Sequence, residues 1–363
     1  MNNNDAQHPR TTTPPESPTP AVAALQEATG WVRAWPDKDR GLVFERRDSS
    51  GQLRAGRIDA AGEVQILAYA QDPALPELSP RLVSPQAEGE LVVHRAGRRA
   101  VVIGTDRVHK LVRAGRAAKL ADLRVSHPFL RAGLRTAEVL DRSSARVDLE
   151  LLPGQSLHDL GDAGLPGWER FAQLWPGVVR PESLPEHTGA DEAAVLLRWH
   201  RRALDLGMSD VLGTPEGLGT AVDVVAGLLR EPGDPLAAAH RDLHDGQLLW
   251  DGATLSLLDL DTAALAEPAL DLGNLAAHVD LMHTQGRLAS TAHTHIAQLL
   301  DELSQELASE HRLSVYYLAS RLRLSFVHAF RPGAPAWLPD WTRESMQLAA
   351  APGRAWQSRT LGE

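Results

Sequence analysis

The segment that most constrains the fold of this chain is HRDLHDGQLLWDGATLSLLDLD, residues 240–261. Asp251 and Gly252 stand between the apolar runs LLW and ATLSLLD, and an Asp-Gly pair in that setting is a strong signal for a tight β-hairpin. A turn with two central residues would place Trp250 opposite Ala253 and return the second strand beside the polar start of the segment. We therefore expect the acidic side chains at its two ends to converge.

Upstream of this segment, short apolar runs separated by Gly and Asp predict antiparallel strands from Gly41 to about Arg113. Within them, ELVVHRAGRRAVVIGTDRVHKLVR predicts a three-stranded meander with turns at 96–97 and 104–106. The strands expected over 41–85 could extend the same sheet. Residues 114–140 return to helical spacing with a break at His127-Pro128, and RVDLELL, 146–152, predicts one more strand.

Beyond Gly154 the apolar spacing is mostly helical, and only residues 248–258 show a strand pattern. The segment 191–207 opens with acidic residues and closes on Gly207, as a capped helix does. Further helices are predicted over 217–230, 270–283, 288–309 and 313–329. A strand-rich part followed by a helix-rich part indicates an α+β architecture with two lobes.

Composition excludes several classes of function. The chain of 363 residues has a net charge of −10, which disfavours nucleic acid and anionic membrane as partners. It contains no cysteine, so disulfides, a thiol nucleophile and thiolate metal sites are excluded. Residues 1–20 lack both a signal-like apolar core and large apolar side chains, so we expect a disordered tail on a cytoplasmic protein.

Three kinds of site are compatible with the polar segment. His240 and His244 have the spacing of a zinc-binding helix, although Arg241 stands where a catalytic Glu would be and Gly246 disfavours a helix. A calcium loop fits less well, because DLDTAALAEPALD lacks the Gly of its sharp turn. Phosphoryl transfer needs an Asp near the substrate hydroxyl, an amide five residues later and a second Asp after a hairpin. Asp242, Gln247 and Asp259 supply these.

HRDLHDGQLLW followed by LLDLDTAALAEPALDLGNLA resembles the aminoglycoside phosphotransferase and choline kinase-like family, whose motifs are H-G-D-x-H-x-x-N, I-D-[FW]-[DE] and D-P-x-x-D-L-A. Glu267 and Pro268 stand in place of Asp-Pro, and Asp271 is preserved. The resemblance implies a two-lobed protein kinase-like fold. Residues 21–152 would form a nucleotide-binding lobe with extra N-terminal strands, and 153–363 a mostly helical catalytic and substrate lobe.

The resemblance also implies roles for individual residues. Lys110 lies between Val108 and Val112 on one strand face and corresponds to the lysine that reaches nucleotide phosphates. The remaining implied site consists of Asp242 as catalytic base, Gln247 and Asp259 as Mg²⁺ ligands, Gly97 in the nucleotide-covering turn, and the backbone of Glu150 to Leu152 against adenine.

Two departures keep alternative functions open. Gln247 replaces the usual Asn and adds a methylene between the backbone and the metal-binding amide. The helix after Lys110 offers only Asp122 or Glu138 as an acidic partner for the lysine. We expect a phosphotransferase using ATP, or GTP, with Mg²⁺ on a hydroxyl of an aminoglycoside-like antibiotic, sugar or amino alcohol. A catalytically weak, nucleotide-binding regulatory protein and a zinc hydrolase are the alternatives.

Overall fold

A computed structural model describes residues 17–84, 86–87, 89–120, 123–213, 216–332 and 335–358. Most of the tail predicted for residues 1–20 therefore lies outside the described residues, and the first helix begins at Pro20. None of the helices in the described ranges is long and apolar enough to cross a membrane.

The fifteen strands named here form three sheets and one isolated pair. In chain order they are β1 (Trp31–Pro36), β2 (Leu42–Arg47), β3 (Leu53–Ile58), β4 (Val64–Ile66), β5 (Glu90–Arg95), β6 (Arg99–Ile103), β7 (Arg107–Val112), β8 (Arg135–Thr136), β9 (Val139–Arg142), β10 (Arg146–Glu150), β11 (Gln155–Ser156), β12 (Ala237–Ala239), β13 (Leu248–Trp250), β14 (Leu255–Leu257) and β15 (Ala264–Ala266).

The helices are concentrated after residue 156. They are α1 (Pro20–Glu27), α2 (His127–Arg131), α3 (Leu157–Leu160), α4 (Leu165–Leu174), α5 (Gly189–Asp205), α6 (Ser209–Leu212), α7 (Leu218–Leu229), α8 (Pro268–Thr284), α9 (Ser290–Leu307), α10 (Glu310–His328), α11 (Leu338–Ala349) and α12 (Ala355–Ser358). Side chains on all faces of α8 and α10 are buried, so these two helices form the centre of the helical part.

The central sheet has the strand order β5-β6-β7-β10-β9 and is antiparallel throughout. Its first three strands confirm the predicted meander and both of its turns. The register pairs Lys110 with Val101 on one side and with Val147 on the other. Because side chains alternate along a strand, these three residues share one face of the sheet.

The extra strands at the N-terminus form a sheet of their own, with the order β1-β2-β3-β4, and the expectation that they extend the central sheet is wrong. β2 is buried on both faces, because Phe44 packs into the core of the helical part whereas Val43 packs against Ala96 of the central sheet. Polar contacts follow the same arrangement: the Ala34 N–H donates to the Phe330 carbonyl, and the buried Glu45 carboxylate accepts the His94 N–H. This N-terminal sheet therefore joins the two lobes.

Two other local expectations are corrected. Trp250 pairs with Leu255 rather than with Ala253, because the Asp251 carboxylate accepts the N–H groups of Ala253 and Thr254 and a four-residue loop results. The helical spacing expected over 114–140, with its break at His127-Pro128, is realised in the described residues only as α2 and two short 3-10 turns, and β8 and the start of β9 follow. Gly115 and Gly133 adopt positive φ and Pro128 lies between them, which together prevent a continuous helix.

Glu267, the residue just before α8, is buried and makes structural contacts. Its carboxylate accepts two hydrogen bonds from the buried Arg312 guanidinium, both at 2.7 Å, one from the Tyr316 hydroxyl and one from the Asp234 N–H. Removing one partner of a buried ion pair leaves the other charge uncompensated. Glu267, which stands where the family motif has Asp, thus forms a structural ion pair with Arg312.

We predict that Glu267→Ala lowers the free energy of unfolding by about 3 to 5 kcal/mol, measured by urea denaturation. Asp340→Ala removes one partner of the exposed Arg343–Asp340 pair and serves as the control, with almost no expected change. Equal effects of the two substitutions would contradict a structural role for Glu267.

Candidate active site

Asp271, in the first turn of α8, holds the loop that carries Asp242. The Asp271 carboxylate is 1% exposed and accepts the N–H of His240 at 2.6 Å and that of Arg241 at 2.8 Å. Arg241 has φ +71°, a conformation that non-glycine residues seldom adopt unless their surroundings hold them in it. Burial raises the pKa of Asp271. Asp271 therefore clamps the loop, and both of its oxygens accept N–H groups of the loop backbone.

His240 braces the loop against the returning hairpin strand. Its Nε2 lies 2.7 Å from the Leu258 carbonyl oxygen, and its Nδ1 accepts the Asp242 N–H at 3.3 Å. Both ring nitrogens are engaged with the backbone. The zinc pair that the spacing of His240 and His244 allowed is therefore not formed.

Lys110 reaches from the central sheet to the end of the hairpin. Its Nζ donates to Asp259 Oδ1 at 2.6 Å and to both oxygens of Asp261 at 3.1 Å. Asp259 has φ 55°, so its backbone is left-handed, like that of Arg241. Non-glycine residues seldom adopt this conformation unless the surrounding structure holds them in it. Arg99 Nη1 lies 3.9 Å from Asp259 Oδ2 and adds a second cation.

These neighbours shift the pKa values of the two carboxyl groups in opposite directions. Burial acts to raise the pKa of Asp259, but the charge and hydrogen bond of Lys110 outweigh it and hold that pKa well below its ordinary value. Burial raises the pKa of Asp261 to about 6, and the adjacent Asp259 charge contributes to the increase. Burial acts to lower the pKa of Lys110, but the two acids raise it overall, so the lysine remains charged.

Among the described residues, the acidic partners of Lys110 thus come from the segment that follows the hairpin. Asp122 lies outside the described residues. Glu138 lies at the β9 edge, where its carbonyl accepts the Glu150 N–H at 2.9 Å. The sequence feature that could have indicated these partners is the D-L-D spacing of residues 259–261, which lets two acids contact the same lysine.

The turn that contains Gly97 is held by the N-terminal part of the chain. Asp72 Oδ2 accepts the Gly97 N–H at 2.6 Å, and the Arg57 guanidinium donates to the Ala96 carbonyl at 3.0 Å. A Cβ atom on Gly97 would lie 2.2 Å from Arg57 Nη2, and φ is +67°, so the turn requires glycine. Sequence reasoning missed Asp72 and Arg57, since nothing near residue 97 indicates them.

The other predicted residues lie in two places. Glu150 and Leu152 lie at the end of β10 and in the linker after it, and Gln247 lies just before β13. Glu150 ion-pairs with Arg135, and the buried Leu152 follows it in the linker between the parts. Gln247 N–H donates to the His244 carbonyl, and the Gln247 carbonyl accepts the Leu258 N–H, both at 2.9 Å. This places Gln247 beside the residue that precedes Asp259. The roles of Gly97, Glu150, Leu152, Lys110, Asp242, Gln247 and Asp259 stay predictions.

No family model matches this chain, and no curated protein matches its sequence. Among solved structures it is similar to a thermostable mutant of the aminoglycoside phosphotransferase APH(4)-Ia in its apo form, with 16% identity, a TM-score of 0.50, and coverage of 76% of this chain and 95% of that chain.

Two further similar structures are a choline/ethanolamine kinase family protein from Mesorhizobium loti and a glucosamine kinase in complex with glucosamine, ADP and inorganic phosphate. The first has 17% identity, a TM-score of 0.43, and coverage of 77% of this chain and 97% of that chain. The second has 16% identity, a TM-score of 0.43, and coverage of 94% of this chain and 99% of that chain.

At these identities the comparison shows the fold. The chain has the two-lobed, protein kinase-like fold of the aminoglycoside phosphotransferases, with an antiparallel sheet in the N-terminal lobe and a mostly helical C-terminal lobe. The α+β prediction is confirmed, and the resemblance seen in the sequence is confirmed at the level of the fold.

The raised pKa of Asp261 predicts a pH-dependent effect on stability. Between 3.8 and about 6 the folded protein holds this proton more tightly than the unfolded chain does, so the contribution of Asp261 to stability falls as pH rises through that window. Asp261→Asn, without added metal, should therefore gain roughly 1 to 2 kcal/mol in unfolding free energy over wild type on going from about pH 4 to pH 7.5. Denaturant titrations at both pH values measure the gain, and a constant difference between the two proteins would refute it.

Proposed function

We propose that this protein is an ATP-dependent phosphotransferase that moves the γ-phosphate to a hydroxyl group of a small molecule. The observation that carries the proposal is the contact of Lys110 with Asp259 and Asp261, made across the two lobes beside the clamped loop of Asp242. Phosphoryl transfer depends on positioning and charge stabilisation, and these residues offer a cation, two metal-type carboxylates and a base on rigid elements.

Each residue has a role within that proposal. Asp242 would orient the acceptor hydroxyl and take its proton, and Lys110 would neutralise phosphate charge. Gln247 and Asp259 would hold Mg²⁺, which would supply positive charge to the phosphates when bound. The donor set fits a hard cation, because it consists of carboxylate and amide oxygens and because Asp259 stays ionised. Asp261 would exchange its lysine contact for the metal.

The face of the central sheet that carries Lys110 would receive the nucleotide. Val101 flanks the lysine on β6 and offers partly exposed apolar surface to a base, whereas Val147 on β10 is buried, and the linker at Glu150 to Leu152 lies at the end of the same β10 strand. Aminoglycosides, sugars and amino alcohols remain the acceptor classes to be tested.

A nucleotide-binding protein with little transfer activity is the second candidate. The observation that favours it is the Gly97 turn, whose N–H is already bound by Asp72 and which therefore has one fewer donor for phosphate. Gln247 in place of Asn supports the same candidate. Tight ATP binding without any phosphorylated product across the acceptor panel would favour it over the phosphotransferase.

We predict that Asp242→Asn keeps nucleotide affinity near the wild-type value but lowers transfer by about 10²- to 10⁴-fold, since it removes the proton acceptor and not a phosphate contact. Calorimetric titration with ATP and GTP measures binding, and ATP consumption against a panel of hydroxylated metabolites and antibiotics measures transfer.

Two further variants make this test specific. Lys110→Met should weaken nucleotide binding itself, because it removes the cation on the phosphates, and Asp340→Asn on the exposed surface should change neither quantity. Unchanged turnover in Asp242→Asn would overturn the assignment of the base.

A further inference from the structure

A group of arginine side chains lies at the turn of the β5–β6 hairpin and has no part in the proposed transfer step. Arg95 ends β5 and pairs with Arg99, the first residue of β6. The Arg95 guanidinium lies 4.9 Å from the centre of the Trp35 ring. Among the described residues its side chain makes no hydrogen bond or ion pair, and its Nε is buried without a partner. A half-buried cation that an aromatic ring holds in place, without an acid beside it, is available to an anion.

The charges around Arg95 are mostly positive. Two arginines of the hairpin, Arg98 and Arg99, act on it from the same lobe, and Arg202 of α5 acts on it from the helical lobe. The nearby acid, Asp37, is already shared between two other arginines, at 2.8 and 3.4 Å. Burial, followed by the neighbouring arginines, lowers the pKa of Arg95 to about 10, which leaves the guanidinium charged at neutral pH. Positive charge therefore accumulates at this point of the cleft.

The surroundings of the Trp35 ring have the same excess of positive charge. Arg33 and Arg331 lie 5.6 and 6.0 Å from the ring centre. Arg33 is ion-paired with the buried Glu45, whereas the hydrogen bonds of Arg331 go to two backbone carbonyls. Within the described ranges, three arginines thus surround one ring with a single paired carboxylate among them.

A structural arginine elsewhere in the chain shows the contrast. Arg321 lies 3.8 Å from the centre of the Trp341 ring, even closer than Arg95 lies to its own ring. Its guanidinium also donates to Glu344 at 2.7 Å and lies 3.6 Å from Asp280. A packed arginine with a structural role thus has acids to balance it, and Arg95 lacks them.

The order of the strands places Arg95 on the acceptor side of the cleft. The linker at 150–152, which would receive the base, follows β10, and Lys110 on the adjacent β7 would contact the phosphates. Arg99 lies one strand further, on β6, and 3.9 Å from Asp259. Arg95 on β5 is one strand further again, and neighbouring strands are about 4.8 Å apart. It therefore lies beyond the phosphates as seen from the base, where the acceptor would enter.

We propose that Arg95 and Arg202, with Arg99 beside them, form a subsite that binds an anionic group of the acceptor. The inference rests on the proposed phosphotransfer and narrows its substrate: the acceptor is a hydroxyl compound that carries a carboxylate or a phosphate group. Guanidinium groups bind both kinds of oxyanion through paired, charge-assisted hydrogen bonds. A bound anion offsets the mutual repulsion of these arginines, and polycationic aminoglycosides are disfavoured by like charge.

Binding of inorganic phosphate tests the subsite without nucleotide or Mg²⁺, so its outcome does not depend on transfer. Calorimetric titration of the full chain should give one phosphate per chain. Arg95→Gln should raise the Kd about 10- to 100-fold, the effect of losing one charge-assisted hydrogen bond. Lys110→Met should leave the Kd unchanged, because Lys110 is already paired with two acids. Weaker binding in Lys110→Met but not in Arg95→Gln would place the phosphate in the nucleotide site and overturn the proposal.

Transfer to a matched set of sugars tests which anionic group the acceptor carries. Glucose is neutral, glucose 6-phosphate and gluconate are anionic, and glucosamine is cationic. ATP consumption with Mg²⁺ should give a kcat/KM at least about tenfold higher for one of the anionic compounds than for glucose, and the lowest value for glucosamine. Arg95→Gln should remove this advantage by raising KM. Arg202→Gln, on the other lobe, should act in the same direction and replaces Arg95→Gln if that variant does not fold.

Arg142→Gln is the matched control, because Arg142 is an exposed arginine on β9, at the opposite edge of the same sheet. It should match wild type in both experiments. Absence of a stoichiometric phosphate site, an equal loss in Arg142→Gln, or equal kcat/KM for glucose and its two anionic counterparts would overturn the proposal. Phosphate binding that is lost in Arg95→Gln, together with no turnover of any acceptor, would support the subsite and count against the proposed function, so the two fail separately.

Discussion

The hydrogen bonds from His240 and Arg241 to Asp271 are the interaction on which the rest of the candidate site depends. They hold Arg241 in a left-handed backbone conformation, and this sets the direction in which the chain presents the next residue, Asp242. The same bonds fix the backbone of His240, whose ring then ties the loop to Leu258 at the end of the hairpin. A carboxyl group buried in α8 therefore determines where both Asp242 and Asp259 lie, although it contacts neither of their side chains.

Lys110 is stabilised in a different way from the loop. The short elements described after β7 provide no long helix to carry an acid, and the lysine extends instead to Asp259 and Asp261 in the other lobe. These ion pairs link the central sheet to the segment that follows the hairpin. In the proposed function, a metal and a polyphosphate would supply new partners to both sides at once, so ligand binding would be coupled to the contact between the lobes.

Local patterns predicted most of this fold, and contacts between distant residues accounted for what was missed. The meander and helix α5 follow from turn residues, apolar spacing, the acidic residues at the start of the helix and Gly207 at its end, all of them short-range features. The separate N-terminal sheet could not be recognised in this way, because β2 is buried on both faces and lacks the alternation that would indicate one packed side. Asp72 was missed because its partner, Gly97, lies far away in sequence.

Gln247 shows how a rigid loop limits the consequences of a substitution. Its N–H and its carbonyl are both bound, to the His244 carbonyl and the Leu258 N–H, so the backbone cannot shift to compensate for a longer side chain. The extra methylene has to be accommodated by side-chain torsions alone, at a cost on the order of 0.5 to 1.5 kcal/mol if one leaves its preferred rotamer. That cost would change metal affinity by about tenfold at most, because 1.4 kcal/mol corresponds to a factor of ten. In the proposed role of Gln247 as a metal ligand, the replacement of Asn by Gln would therefore tune the site and would not by itself abolish it.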